Sequence, residues 1–164
     1  MSSFSTLDQM QALGGRAPRY VGLTTGVFDL LHYGHLRYLA ACREQCDSLV
    51  IGVDSDPIVR RHKGPCRPRQ DAAARLHAVL AAGIGDFVFI KECAGDELLL
   101  TIRPHRYFVS AQRQLGQDRL HLLDRNGTEL LSIPYTHGIS TSMLVDQLSL
   151  PARSRITHIN GGGS

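Results

Sequence analysis

Short apolar runs alternate along this chain with stretches whose apolar residues recur at helical spacing. Tyr20–Thr24, Ser48–Val53, Asp86–Ile90, Arg106–Ser110 and Glu129–Ile133 are runs of strand length, rich in Val, Ile, Leu, Phe and Tyr. Between them, helical periodicity predicts helices over Tyr33–Gln45, Gln70–Ala82, Asp96–Ile102 and Leu115–Arg125. Pro104 stops the third, and Asn126-Gly127 ends the fourth. A last helix is predicted over Ile139–Leu148. Strands that read as continuous apolar runs are buried on both faces, so the alternation predicts an α/β fold with a doubly wound parallel sheet. In such sheets ligands bind beyond the C-terminal strand edges at a switch point, and the segment Thr24–His35 begins at one of those edges.

The 164 residues suffice for one domain with a sizeable core and are too few for two. Periodicity is weak over residues 1–19, read as an N-terminal arm, and fades again over 151–164, read as a flexible tail. Asn160-Gly161-Gly162-Gly163-Ser164 has the composition of a linker. The domain itself is assigned to 20–150, without internal repeats. At 43% apolar and 20% charged residues, the composition is that of a soluble globular protein. No apolar run approaches the roughly 20 residues that cross a bilayer, and Met1–Arg19 lacks the apolar centre of a secretory signal, so the expectation is cytoplasmic. Cys42, Cys46, Cys66 and Cys93 form no Cys-x-x-Cys pair or zinc spacing. Cys42 and Cys46, four apart on one predicted helix, read as core-facing free thiols.

Candidate chemistry concentrates at Thr24-Thr25-Gly26-Val27-Phe28-Asp29-Leu30-Leu31-His32-Tyr33-Gly34-His35. Gly26 lets backbone approach a ligand closely, and the following helix offers free N–H groups and the positive end of its dipole to an anion. His32 and His35, one turn apart, add side-chain donors on the same side. A phosphate group suits all of these. The net charge of +3 does not by itself imply nucleic acid, but Arg60, Arg61, Lys63, Arg67 and Arg69 fall within ten residues that hold two prolines and no acid. This run reads as an extended, mobile loop rather than a helix. It is either a solvated surface, a nucleic-acid patch, or a lid over a triphosphate; its position between two phosphate motifs favours the lid, and no aromatic stacking pattern accompanies it.

Gly26-x-Phe28-Asp29-x-x-His32-x-Gly34-His35 resembles the signature of the cytidylyltransferase-like nucleotidyltransferases. Gly138-Ile139-Ser140-Thr141-Ser142 resembles their second motif, and Lys63-Gly64-Pro65 their phosphate-contacting Lys-Gly element. The resemblance spans most of the chain and implies a Rossmann-like nucleotidyltransferase fold. It also implies a reaction in which an acceptor phosphate or phosphonate oxygen attacks the α-phosphorus of a nucleoside triphosphate and displaces pyrophosphate. On that resemblance His32, His35 and Lys63 are the catalytic residues, the histidines as donors to the phosphates and Lys63 as a mobile charge. Thr25, Gly26, Val27, Phe28, Gly34, Arg75, Gly138, Ile139, Ser140, Thr141 and Ser142 bind the nucleotide, with Ser140 and Thr141 at the β and γ phosphates. Asp29 supports the loop, and Mg2+ arrives with the triphosphate.

Where the family often carries an arginine before its second motif, this chain has Tyr135. An aromatic there, and Lys63–Pro68, resemble the heptose-phosphate adenylyltransferases, whose Lys-Gly-Gly-Asp acceptor element is replaced here by Ser110-Ala111-Gln112-Arg113-Gln114-Leu115-Gly116. His32-Tyr33-Gly34-His35 and His62-Lys63-Gly64-Pro65 look most like the choline- and ethanolamine-phosphate cytidylyltransferases. The sequence therefore leans to CTP, with ATP and a sugar phosphate as the alternative and a catalytically silent nucleotide-binding module as another. Gly83–Phe89 matches the place of a family dimer contact, which implies a homodimer. No nucleic-acid or membrane partner is expected.

Overall fold

The structure, a computed structural model, describes residues 19–135. Five strands, β1 (Val21–Gly26), β2 (Ser48–Asp54), β3 (Phe87–Lys91), β4 (Arg106–Ser110) and β5 (Glu129–Ile133), form one parallel sheet in the order β3-β2-β1-β4-β5. Five helices connect them: α1 (Tyr33–Glu44), α2 (Asp56–Lys63), α3 (Ala72–Ala82), α4 (Gly95–Ile102) and α5 (Gln117–Asn126). The chain winds outward from β1 to β3, then crosses back to the far side of β1 for β4 and β5. β1 is thus flanked by β2 (Val21 opposite Ser48) and by β4 (Gly22 opposite Arg106). The switch point expected from the sequence lies between β1 and β4.

Period-two alternation divides the core between the two faces of this sheet. Val21, Leu23, Tyr107 and Val109 pack with Leu98, Leu99 and Ile102 of α4 and Leu122 and Leu123 of α5. Leu49, Ile51, Val53 and Phe108 pack with Tyr38, Leu39 and Cys42 of α1 and Val79 of α3. The interiors of β2 and β4 are buried and apolar because both of their faces are covered. Cys42 is buried as expected, and burial pushes its thiol up to about 12. Cys46 closes against Gly22, where an added Cβ would lie 2.8 Å from its Sγ.

The helix α2 corrects the sequence reading of Arg60–Arg69 as loop throughout. Pro57 stands in the first turn of α2, where an intrahelical N–H is not needed. Asp56 sits at the positive end of the dipole, and Arg60, Arg61, His62 and Lys63 at the negative end. Gly64, at φ 93°, ends the helix, and only the residues from there to Asp71 connect it to α3. The boundaries of α3 shift for a related reason: Asp71 caps it by accepting the Ala74 N–H at 2.8 Å, so it starts at Ala72 rather than Gln70. β1 runs on to Gly26, two residues past its expected end. The predicted helix Ile139–Leu148, the arm and the tail lie outside the described residues.

Candidate active site

At the C-terminal edge of β1 the chain turns sharply before α1. Phe28 and Leu30 both hold left-handed backbone, at φ 52° and 49°, a conformation that costs free energy in non-glycine residues and occurs preferentially at functional sites. The bend folds the Phe28 ring under Gly26, where an added Cβ would meet it at 3.1 Å. A side chain at Gly26 would press on this ring, so the glycine keeps the strand end bare.

The two histidines then cap α1 reciprocally. His32 Nδ1 accepts the Gly34 N–H at 3.0 Å, and His35 Nδ1 accepts the His32 N–H at 3.2 Å. Two orphan N–H groups of the first turn are satisfied, as in a capping box, with imidazoles where Ser and Glu usually stand. The rings lie close and tilted, with centroids 4.0 Å apart and planes at 31°. Because each Nδ1 accepts, a neutral ring carries its proton on Nε2. His32 Nε2 lies 3.0 Å from the Tyr135 hydroxyl, just beyond β5, and the Tyr135 ring also packs on His35 and Tyr38. Burial raises the Tyr135 pKa. No acid occupies the first turn of α1.

Asp29 ties this turn to the basic connection. Its carboxylate accepts the Arg69 N–H at 2.8 Å and the Gln70 N–H at 3.0 Å, while Gln70 Oε1 accepts the Leu30 N–H at 3.0 Å. Burial alone would raise its pKa, but these N–H groups, with Arg67 and Arg75 nearby, outweigh burial and hold it below the usual value. Arg75 is fully buried and does not reach the cleft. Its guanidinium donates to Gln70 O, Val27 O, Asp54 O and Asp56 Oδ1, joining the turn after β1, the end of β2, α2 and the basic connection. Where a nucleotide contact was expected of Arg75, the side chain acts as a brace, with four of its five N–H donors on carbonyls and a carboxylate of the protein. Gly34 is likewise inside the cap of α1, its N–H spent on His32.

These elements surround a cleft of about 780 Å3 along the strand ends. Of the residues singled out from sequence, Thr25, Gly26, Val27, Phe28, His32, His35 and Lys63 border it. Gly138, Ile139, Ser140, Thr141 and Ser142 lie outside the described residues. The rest of the lining includes Ser110 and Arg113, from the segment that replaces the family's acceptor element, and Asp54, Lys91, Cys93 and Arg119, to which the sequence reading gave no site role. Position alone could have pointed to Asp54, Lys91 and Ser110, which are the last residues of β2, β3 and β4. Gly95 leaves room there for Arg119, whose Nε donates to Asp96 Oδ1 at 2.7 Å. Arg61, Lys63, Arg67, Lys91, Arg113 and Arg119 outnumber the bordering carboxylates Asp29, Asp54 and Glu92, so the cleft favours an anion. Among the described residues no three His, Cys, Asp or Glu side chains gather to hold a metal, and no helix is long and apolar enough to cross a membrane.

A five-stranded parallel sheet whose first strand end carries paired histidines over a cationic cleft defines a nucleotidyltransferase-like domain. The chain belongs to the cytidylyltransferase-like family, whose model matches residues 23–146. It is 39% identical over 129 residues to the bifunctional protein HldE of Bradyrhizobium sp. strain ORS 278, covering 77% of this chain and 26% of that protein. To HldE of Nitrobacter hamburgensis it is 35% identical over 148 residues, covering 87% and 30%. The chain thus spans less than a third of the length of these relatives. Among solved structures, the lipopolysaccharide core biosynthesis protein from Thermoplasma volcanium GSS1 matches with a TM-score of 0.63 at 23% identity, over 71% of this chain and 98% of that one. Pantothenate synthetase from Thermus thermophilus matches with a TM-score of 0.53 at 16% identity, over 90% and 71%. These two share the fold.

Proposed function

We propose that this domain transfers a nucleoside monophosphate from a magnesium-bound nucleoside triphosphate to a small phosphorylated acceptor, releasing pyrophosphate, with ATP as the donor and a sugar or polyol phosphate as the acceptor. The observation that carries the reading is the reciprocal histidine cap: it pins both Nδ1 atoms to backbone and leaves Nε2 of each ring to carry a proton beside an acid-free helix N-terminus. Likeness to HldE favours ATP and a sugar phosphate over the CTP suggested by His32–His35 and His62–Pro65.

In the proposed reaction an acceptor phosphate oxygen attacks the α-phosphorus in line, a new P–O–P linkage forms, and the α–β bridging oxygen leaves with its electron pair on pyrophosphate. The protein supplies no nucleophile; position and charge do the work. His35 donates to the phosphates as charge builds in the transition state, and His32 does so by exchanging its Tyr135 hydroxyl contact for a phosphate oxygen. Lys63, at the end of α2, adds a flexible point charge at the α-phosphate. Backbone of Thr25–Phe28 lies along the nucleotide. Ser140 and Thr141 are assigned to the β and γ phosphates on the resemblance of Gly138–Ser142 to the family's second motif. Mg2+ belongs to the substrate, taking its ligands from phosphate oxygens and water. Pyrophosphate release from each of four nucleoside triphosphates against a panel of small phosphates and phosphonates tests the reading. ATP with a sugar phosphate is expected to be fastest.

A further inference from the structure

The floor of the cleft at the ends of β2 and β3 holds a charged pair for which phosphate transfer has no use. Asp54 and Lys91 are opposite each other in the register of the two strands, and Lys91 Nζ donates to Asp54 Oδ1 at 2.7 Å. The side chains are only 8% exposed for Lys91 and 16% for Asp54, yet both border the cleft. Withdrawing two charges this far from water is costly, and an apolar pair of similar volume holds a fold together as well or better. Fold stability therefore does not explain the pair.

Its unused valences suggest what does. The bond occupies one of three ammonium protons and one carboxylate oxygen, so two strong donors and one strong acceptor stand side by side at the cleft. Adjacent hydroxyl groups match that set, since each both donates and accepts. An alkylammonium group matches it poorly, because the six cations that line the cleft outnumber its three carboxylates, Asp54 and Glu92 included. Among the described residues that border the cleft, the phenyl and phenol rings that could hold one, Phe28, Tyr38 and Tyr135, belong to the turn after β1, α1 and the stretch after β5, and none to β2 or β3. The neighbours at the β2–β3 end include Ile58, Val59, Cys93 and Ala94.

We propose that Asp54 and Lys91 bind vicinal hydroxyls of the acceptor, and so select polyol or sugar phosphates against amino-alcohol phosphates; this rests on the phosphate-acceptor reading of the cleft. Calorimetric titration of the full chain with glycerol 3-phosphate, n-propyl phosphate and phosphoethanolamine tests it, since the first two differ by two hydroxyls. Glycerol 3-phosphate should bind about tenfold or more tighter than the other two, the usual scale for hydrogen bonds to charged groups. In Lys91→Met, and in Lys91→Met with Asp54→Leu, which leaves no lone buried charge, that preference should vanish while ATP affinity moves less than about threefold. Equal binding of glycerol 3-phosphate and n-propyl phosphate, binding of neither, tighter phosphoethanolamine, or a preference surviving in the folded double variant would each overturn the assignment. Because the readout is binding, a chain that prefers glycerol 3-phosphate yet releases no pyrophosphate would sink the transferase reading and leave the hydroxyl selection standing.

Discussion

The Tyr135 hydroxyl and His32 Nε2, 103 residues apart in sequence, meet at 3.0 Å over the N-terminus of α1. With Nδ1 of His32 accepting from Gly34, the ring is held at both nitrogens, and its plane is fixed before any ligand arrives. Tyr135 is proposed as a positioning residue that acts through the His32 ring. Tyr135→Phe should lower turnover about fivefold, the scale of one neutral hydrogen bond, with the fold unchanged by circular dichroism. Added to His32→Ala, Tyr135→Phe should cost nothing further; losses that simply multiply would show the two side chains acting independently.

Asp29 predicts a pH-dependent contribution to stability. Its carboxyl is held below the ordinary value because the Arg69 and Gln70 N–H groups and nearby cations outweigh burial. A group depressed on folding stabilises the protein above its unfolded pKa, about 3.9 for Asp, and that stability is lost as pH falls through the folded value. Melting temperatures of the wild type and Asp29→Asn should differ at pH 7 and converge below about pH 4. A gap that stays constant down to pH 3 would contradict this.

His35 and Lys63 should divide the kinetics differently from a simple anchor. His35→Ala is expected to cut turnover about a hundredfold or more while leaving the fold intact, as for loss of a transition-state donor. Lys63→Ala should lower kcat more than it raises the triphosphate Kd. A collapse of affinity with turnover preserved would make Lys63 a ground-state anchor.

A homodimer is proposed through the β3 edge of the sheet. Among the described residues β3 pairs with β2 alone, and Phe87, Val88 and Phe89 on it are half-buried within a single chain. Isologous contact along Gly83–Phe89 would cover them and set two clefts side by side. Light scattering at low micromolar concentration should give twice the mass of one chain, and a monomer mass unchanged by ATP would exclude the dimer.

Much of this architecture was legible because local chemistry and global fold agree. β4 and β5 fall on the residues the apolar runs marked, and the histidine pair was visible from its spacing after a glycine turn. α2 was hidden because its cations and the nearby prolines read as loop, while Pro57 and Asp56 suit a first helical turn. Arg75 was misplaced because sequence spacing cannot distinguish a guanidinium that meets phosphate from one that meets four protein oxygens. Asp54 and Lys91 stand at strand ends, but their pairing has no local signature: it arises when the two strands come into register.

The central claim is nucleotidyl transfer at the histidine cap, and the most direct measurement is pyrophosphate release by the full chain given Mg-ATP with and without a sugar or polyol phosphate, alongside CTP. The account predicts release that requires the acceptor, runs faster with ATP than with CTP, and yields the acceptor joined to AMP through a new P–O–P bond. Nucleotide binding without pyrophosphate release from any of the four triphosphates, across the whole acceptor panel, would contradict it and leave a silent nucleotide-binding module.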